Sequence, residues 1–396
     1  MGDSTSSFQM AHAPMATDRT AGCSYFRDQG DVFESNGIYF LTSAEAVQFA
    51  HRHPEIFASG PAFESLGSPV PLVPLAIDPP DHLRFRKFLD PMFAPRVINT
   101  MEDELRAQAR ELVRAFAGRG RCDIVTDLAR LYPTQVFLTL FGMPIGDRDM
   151  FIGWVETLVE GSTAESGTLP TAEVAAAAMA LFGYLGEFIE RKRADPGDDM
   201  LSKILALRGD EAWTDAQILG LCFLFTLAGL DTVTATIGFV MMHLAEQPEL
   251  RRRLVADTTL VGPAIEEILR LELPAPYTPR VTSQEVDVGG VAIPAGSMVQ
   301  LCLGVANRDP RRFERPDEIG TDLGDRGHLS FGGGIHRCLG SHLARRELRL
   351  VVEEFHRLIP EYEIEPGAQP RIVWPSGTHH LTSLPLRFEP AQEVDS

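Results

Sequence analysis

Cysteine is scarce. Cys23, Cys122, Cys222, Cys302 and Cys338 are spread over 396 positions. So few, odd in number and scattered, they argue against a disulfide framework and for a reducing compartment. Positive charge is also in deficit: 36 Lys and Arg against 55 Asp and Glu give a formal net charge of −19. That balance argues against general nucleic-acid binding, which needs a basic face. No Ser/Gly-rich linker divides the middle of the chain. With 44% hydrophobic and 23% charged residues, the composition is that of a soluble globular protein. Met1 to Thr20 is rich in Ser, Thr and Ala and lacks the basic-then-apolar plan of a signal peptide. The expectation is a flexible start over 1–20, one domain over 21–396 and a cytoplasmic location.

What the chain does have is concentrated in Phe331-Gly332-Gly333-Gly334-Ile335-His336-Arg337-Cys338-Leu339-Gly340. Three glycines without Cβ atoms let a backbone approach something large and flat. From Leu339 onward Leu343, Leu348, Val351, Val352, Phe355 and Leu358 recur at helical spacing. Cys338 is therefore expected at a helix start, where free N–H groups and the dipole favour thiolate, the metal-binding form. Taken alone, a cysteine after glycines is more often a small buried hydrophobe.

A second stretch is defined by missing charge. From Ile218 to Met242 the only charged residue is Asp231. Thr214 and Gln217 form a capping box, and Pro248 marks the end. A helix over Asp215 to Glu246 spans roughly 48 Å. Its length suits a membrane span, but no basic cluster flanks it, Gly, Thr and Asp interrupt it, and no second span is expected. A helix buried in a soluble protein is the better reading. Burial makes Asp231 and Thr232 costly unless they are used. Thr232 is spaced to bond back to the Ala228 carbonyl, and Gly229 leaves room beside it.

Other elements follow from local chemistry. Asp31–Thr42 reads as a hairpin turning at Asn36-Gly37, followed by a short helix over Ala44–His51. Gly60–Pro74 is a Gly/Pro/Ser-rich loop that carries Phe63, Leu66, Val70, Leu72 and Val73, either a lid or core packing. Asp78-Pro79-Pro80 starts a helix with His82 and Arg86 on one face. Further helices are expected over Met101–Ala117, Ile124–Leu140 with a kink at Pro133, and Thr171–Arg193. Glu267 and Arg270 share a helix face. Leu273–Arg280 is too proline-rich for helix; strands follow over Val286–Ile293, Met298–Leu303 and within Tyr362–Phe388, where Ser376–Leu381 is a turn.

The cysteine loop carries the pattern F-G-x-G-x-H-x-C-L-G-x-x-L-A through Phe331, Gly334, His336, Cys338, Gly340, Leu343 and Ala344. At these residues the chain resembles the cytochrome P-450 family, in its soluble bacterial type. Asp78-Pro79-Pro80-x-His82-x-x-x-Arg86, Ala228-Gly229-Leu230-Asp231-Thr232 and Glu267-x-x-Arg270 match as well, and the likeness runs from about Phe33 to Phe388. It implies a mainly α fold with small β-sheets (α+β): a triangular helical domain around a long central helix, with a smaller β-rich region. It implies haem b with Cys338 on the iron. Phe331, Gly332, His336, Gly340, Ala228 and Gly229 would line the cofactor, and His82, Arg86, Arg280 and His336 would meet its propionates.

The same resemblance gives Asp231 and Thr232 the delivery of protons to bound oxygen, and makes Glu267–Arg270 a structural ion pair. A substrate pocket is expected from Phe63, Leu72, Leu224, Leu227, Ala228, Ala275, Pro276 and Thr378, capped by mobile helices within Trp154–Pro170. The implied reaction inserts one atom of O2 into a hydrophobic small molecule, by hydroxylation or epoxidation. Electrons would come from a ferredoxin and its reductase, docked on Arg84, Lys87, Arg337, Arg345 and Arg346. A monomer without a membrane anchor is expected. A peroxide-dependent enzyme and a non-catalytic haem protein are the alternatives. The pattern weakens at Ile319, where an aromatic is usual, and at Asp322 to Arg326, so local loop differences are expected there.

Overall fold

The structure, a computed structural model, describes residues 8–64, 68–161, 171–320 and 327–391. Leu66, Asp322, Arg326 and positions 162–170 of the expected pocket cap lie outside these residues. The fold is mainly helical with three small sheets, as the sequence led one to expect.

Its axis is the helix Asp215–Glu246. The Thr214 hydroxyl accepts from Gln217 N at 3.2 Å, and Gln217 Oε1 accepts from Thr214 N at 2.9 Å, so the capping box forms as read. The helices Leu131–Phe141, Ala172–Ala194, Val261–Leu271 and Ser341–Leu358 pack around it. At Gly220 an added Cβ would lie 1.9 Å from the carbonyl oxygen of Pro71. The loop after Gly60 therefore crosses the helix in backbone contact, and Leu72 and Val73 are buried in the main core. Core packing describes this part of the loop better than a free lid.

Two helical expectations change. The stretch from Ile124 is not one kinked α-helix: Val125–Ala129 is π-helical, and the α-helix begins at Leu131. Arg130 N donates to the Val125 carbonyl at 3.1 Å, five residues back. Pro133 then falls in the first turn of the new helix, where an amide N–H has no partner within the helix, so it forces no kink. Thr234 of the central helix pins the irregular turn by donating to the Ala129 carbonyl at 2.9 Å. The second change concerns apolar length. Ala172–Ala194 is, like the central helix, long and apolar enough to cross a membrane, although no second such span was expected. Half of the central helix's most apolar window is buried by the protein itself, against 22% for Ala172–Ala194.

The largest sheet orders its strands Val32–Ser35, Ile38–Leu41, Met298–Leu301, Thr278–Thr282 and Phe57–Ala58. Asn36 and Gly37 turn the hairpin with φ of 53° and 78°, the two positive values a tight primed turn needs. Ile38–Leu41 pairs in parallel with Met298–Leu301, and the register sets Arg280 opposite Val299. This sheet carries Arg280 to the site. The N-terminal expectation also changes. From Phe8 on the chain is packed: Phe8, Ala13 and Met15 are buried, and Phe8 meets Tyr25, Phe26, Phe33 and Phe40. Apolar side chains spaced among polar ones anchor a segment whose composition reads as flexible.

Candidate functional site

The cysteine loop is folded on its own backbone. Cys338 N donates to the Phe331 carbonyl at 2.8 Å, and Gly332 N to the Leu329 carbonyl at 2.8 Å. Gly332 and Gly334 hold φ of +65° and +61°, values that favour glycine. Arg86 clamps the loop from outside: Nη1 donates to the carbonyls of Ile335 (3.1 Å) and Arg337 (2.8 Å), while Nε meets Asp90 Oδ1 at 2.6 Å. Arg270 braces the segment leading in. It pairs with Glu267 at 3.0 Å and donates to the carbonyls of Asn307, Pro316 and Glu318, so this buried pair is structural as expected.

Of the five cysteines, only Cys338 is exposed. It is not the cap of the following helix, which starts at Ser341 with Gly340 before it. Surrounding protein raises the Cys338 thiol above its ordinary pKa, while the Gly340 N–H and the guanidinium groups of Arg86, Arg345 and Arg337 pull it down. The helix itself begins three residues later, so its start does not act on the sulfur directly. The glycines divide their tasks too. A Cβ on Gly333 would lie 2.6 Å from His51 Nδ1, and one on Gly334 would lie 2.1 Å from the His51 carbonyl oxygen. Those two accommodate the helix Ala44–Arg52. Gly340 has open space where a side chain would stand, and for Gly332 the nearest atom is at 3.9 Å.

Beside the loop lies a set of buried cationic or neutral basic groups with too few partners. His82 is 3% exposed and its Nε2 has no partner among the described residues. The His82 ring lies 4.4 Å from that of His336, whose Nε2 is 3.6 Å from Asp78 Oδ1, too long for a hydrogen bond. Asp78 accepts instead from Ser59 N and Gly60 N, each at 2.8 Å. Arg280 is 5% exposed; its one hydrogen bond runs to the adjacent Pro279 carbonyl, and no carboxylate lies within 4 Å among the described residues. Burial lowers Arg280 to about 10 and His82 to about 4, and lowers His336 as well. His51 joins them from the helix Ala44–Arg52, buried and with Nδ1 unpartnered. The sequence reading missed it, because a histidine late in a short amphipathic helix carries no local signal.

On the central helix, Ala228 and Gly229 are exposed amid buried neighbours. Thr232 Oγ1 donates to the Ala228 carbonyl at 2.7 Å, as its spacing predicts. Asp231 faces another way. It hydrogen-bonds Thr378, which the sequence reading had placed against substrate, and His380 lies near. Burial raises its carboxyl above the usual range, opposed by these two groups. Behind Asp231 is a cavity of about 60 Å³ that Thr234, Thr134, Arg130, Glu156 and His380 also line. Arg130 Nη1 and Glu156 Oε1 meet at 2.6 Å there, their side chains 32% and 37% exposed. Polar groups thus stand among apolar ones, Val125, Ile152, Val155 and Leu381, between Asp231 and the surface.

The remaining pocket residues are dispersed in character. Leu72 and Leu224 are buried in the main core, and Phe63 and Leu227 are half-buried against it. Ala275 is half-buried. Pro276 is buried and packs on Gly304, whose N–H it accepts at 3.1 Å.

The family profile described as Cytochrome P450 matches residues 33–376. The chain belongs to the cytochrome P450 family. Among curated cytochromes P450, the vitamin D(3) 25-hydroxylase of Pseudonocardia autotrophica is 34% identical over 82% of this chain and 79% of its own. Cytochrome P450 130 of Mycobacterium tuberculosis is 35% identical over 78% and 76%. A mutant of P450 EryK in complex with erythromycin B superposes with a TM-score of 0.86 at 27% identity, covering 98% and 99% of the two chains. CYP109E1 from Bacillus megaterium in complex with testosterone gives 0.87 at 27% identity over 94% and 98%. A cytochrome P450 binds haem b, a flat ring with one iron and two carboxylates. The site fits that group: Cys338 is its accessible sulfur, and buried, unpartnered nitrogens of His82 and His336 sit with Arg280 where carboxylates satisfy them.

Proposed function

We propose that this cytochrome P450 monooxygenase hydroxylates or epoxidises a bulky hydrophobic small molecule, with Cys338 as the thiolate ligand of haem b, in a single domain that takes in the chain from Phe8 on. The observation that carries this reading is the Thr232–Ala228 hydrogen bond beside exposed Ala228 and Gly229. Thr226 and Thr236 of the same helix bond back in the same way, but only Thr232 sets its hydroxyl beside that exposed surface. When bound, the haem supplies the activation of dioxygen, and the thiolate favours O–O cleavage.

The protein's own residues do the rest. Arg86 fixes the loop that presents Cys338. His82, His336 and Arg280 hold the carboxylates. Thr232 Oγ1 holds a proton at the oxygen-binding face, and Asp231 resupplies it from the side of Arg130, Glu156 and His380. Retention of both groups favours oxygen and electrons over peroxide as the working oxidant.

The substrate class rests on relatives, one named for vitamin D(3) 25-hydroxylation and others bound to testosterone or erythromycin B. A rigid, polycyclic or macrocyclic apolar molecule is the reading for this chain. Two electrons come from an acidic ferredoxin. Of the five cations expected to dock it, Arg345 is bidentate on Glu266 at 2.7 Å, and Arg346 pairs with Glu102. Exposed Arg84, Lys87 and Arg337 have no carboxylate within 4 Å among the described residues, and Leu83 beside them is 71% exposed. These exposed cations, two of them on the same short helix as Leu83, support the docking role. A cytoplasmic monomer completes the reading.

Reduction under carbon monoxide tests the ligand. Absorption near ~450 nm is expected of thiolate-ligated haem, and a band in the imidazole-ligated range would rule Cys338 out. Turnover with a ferredoxin, its reductase and NAD(P)H, but not with peroxide alone, separates the monooxygenase from its alternatives. Titration of steroids and macrolides against the haem spin state identifies the substrate class.

A further inference from the structure

His51 stands apart from every motif, yet its surroundings are unusual. It is 9% exposed, and Nδ1 is buried with no partner among the described residues. An orphaned buried nitrogen is destabilising unless something satisfies it. The charged groups that act on His51 are Arg280 and His336, and both disfavour its protonation. Among the described residues no carboxylate offsets them. With burial they hold the imidazole down to about 4. Among the described residues the one carboxylate within 4 Å of the His336 ring is Asp78, which is already taken up by the Ser59 and Gly60 amides. The local balance therefore calls for anions.

His51 is also held in place. Gly333 and Gly334 abut it so closely that neither could carry a side chain, with contacts of 2.6 and 2.1 Å to an added Cβ. Its position is consequently tied to the loop that presents Cys338. A merely space-filling residue at this place needs no nitrogen.

We propose that His51 is a further cofactor-binding residue: with Arg280, His82 and His336 it completes the cradle for the two haem carboxylates. Helix Ala44–Arg52 thereby couples carboxylate binding to the seat of the cysteine loop. The inference rests on Cys338-ligated haem, so each variant is first reduced under carbon monoxide. Absence of the thiolate-type band in the unsubstituted protein would fail that reading, not this one.

The test compares haem release to an excess of apomyoglobin for the holoprotein, His51→Phe and His51→Asn. Each is loaded with haem b and, separately, with its dimethyl ester, which has no carboxylates. His51→Phe keeps the ring and removes both nitrogens, and should release haem b about 10-fold faster. His51→Asn keeps a polar atom near Nδ1 and should recover most of the difference. With the ester, the unsubstituted protein and His51→Phe should release at rates within about twofold of each other, because the interaction term is gone. The propionate bending mode in resonance Raman spectra should shift in His51→Phe and not in His51→Asn. Equal release of haem b by the unsubstituted protein and His51→Phe overturns the proposal. Equal acceleration with both haems also overturns it, since that is a packing effect. If His51→Phe does not fold, His51→Leu takes its place under the same criteria.

Discussion

The hydroxyl of Thr232 donates to the carbonyl of Ala228 at 2.7 Å, one turn earlier in the central helix. The bond ties the side chain to its own helix and leaves its oxygen beside the exposed Ala228–Gly229 surface. Thr232→Ala should keep electron consumption but divert it from product to hydrogen peroxide. Product formed per NAD(P)H should fall by about 10-fold or more, the lower end of proton-transfer effects. Thr232→Ser should recover much of the coupling. Parallel assays of product, peroxide and NAD(P)H decide it; unchanged coupling in the alanine variant removes Thr232 from proton delivery.

Asp231 carries a pH prediction. Burial holds its carboxyl above the ordinary range, and the Thr378 hydrogen bond is the strongest opposing influence. Removing the hydroxyl in Thr378→Val therefore moves the Asp231 pKa further up. A group that must be protonated to deliver then stays protonated to higher pH, so the alkaline limb of the turnover profile should shift upward. A downward shift would mean that Thr378 acts on Asp231 in another way. Asp231→Asn should abolish that limb and slow turnover by roughly 100-fold.

Gly220 decides where the loop after Gly60 lies. In an open helix Gly→Ala is favourable by about 1 kcal/mol. Here the added carbon meets the Pro71 carbonyl oxygen at 1.9 Å, a backbone atom that cannot swing aside. Overpacking costs of about 1–3 kcal/mol should win. Gly220→Ala is expected to lower the thermal midpoint and to loosen Leu72 and Val73, read by hydrogen exchange across that loop. A raised midpoint would show the loop to be free of the helix.

Acid stability should depend on His356. It is 7% exposed, its Nε2 lies 3.1 Å from the Tyr362 hydroxyl, and Nδ1 has no partner among the described residues. Burial, with the Arg251 cation, lowers it from 6.5 to about 4; Glu361 pulls weakly the other way. The folded state therefore binds its proton less readily than the unfolded chain. The stabilisation is present above the unfolded pKa near 6.5 and is lost as pH falls toward about 4. It amounts to about 3 kcal/mol at most. Urea unfolding between pH 7 and 4 should show a shallower decline for His356→Gln than for the unsubstituted protein; equal slopes would assign the acid sensitivity elsewhere.

Much of the site could be read from the chain because its motifs are local. Phe331 to Gly340, His82 with Arg86, Ala228 to Thr232 and Glu267 with Arg270 each lie within one loop or a few turns of helix, where spacing fixes geometry. The capping box, the Asn36-Gly37 hairpin and the Thr232 back-bond are local in the same sense. What failed was non-local. The π-helical turn at Val125–Ala129 exists because Thr234, more than a hundred residues on, holds the Ala129 carbonyl. The Thr378 hydroxyl goes to Asp231 because a C-terminal turn is packed on the central helix. Phe8 is buried by aromatic partners from four later positions.

The sequence by itself determined the family, the central helix and the glycine-rich loop that carries Cys338, since each follows from residue type at fixed spacing. Only the tertiary structure decided what the glycines before Cys338 are for, that Arg86 grips the loop's carbonyls, and that His51 stands against Gly333 and Gly334 near Arg280 and His336. These are contacts between segments hundreds of positions apart, and they are set by which surfaces bury each other once the helices and the sheet have packed.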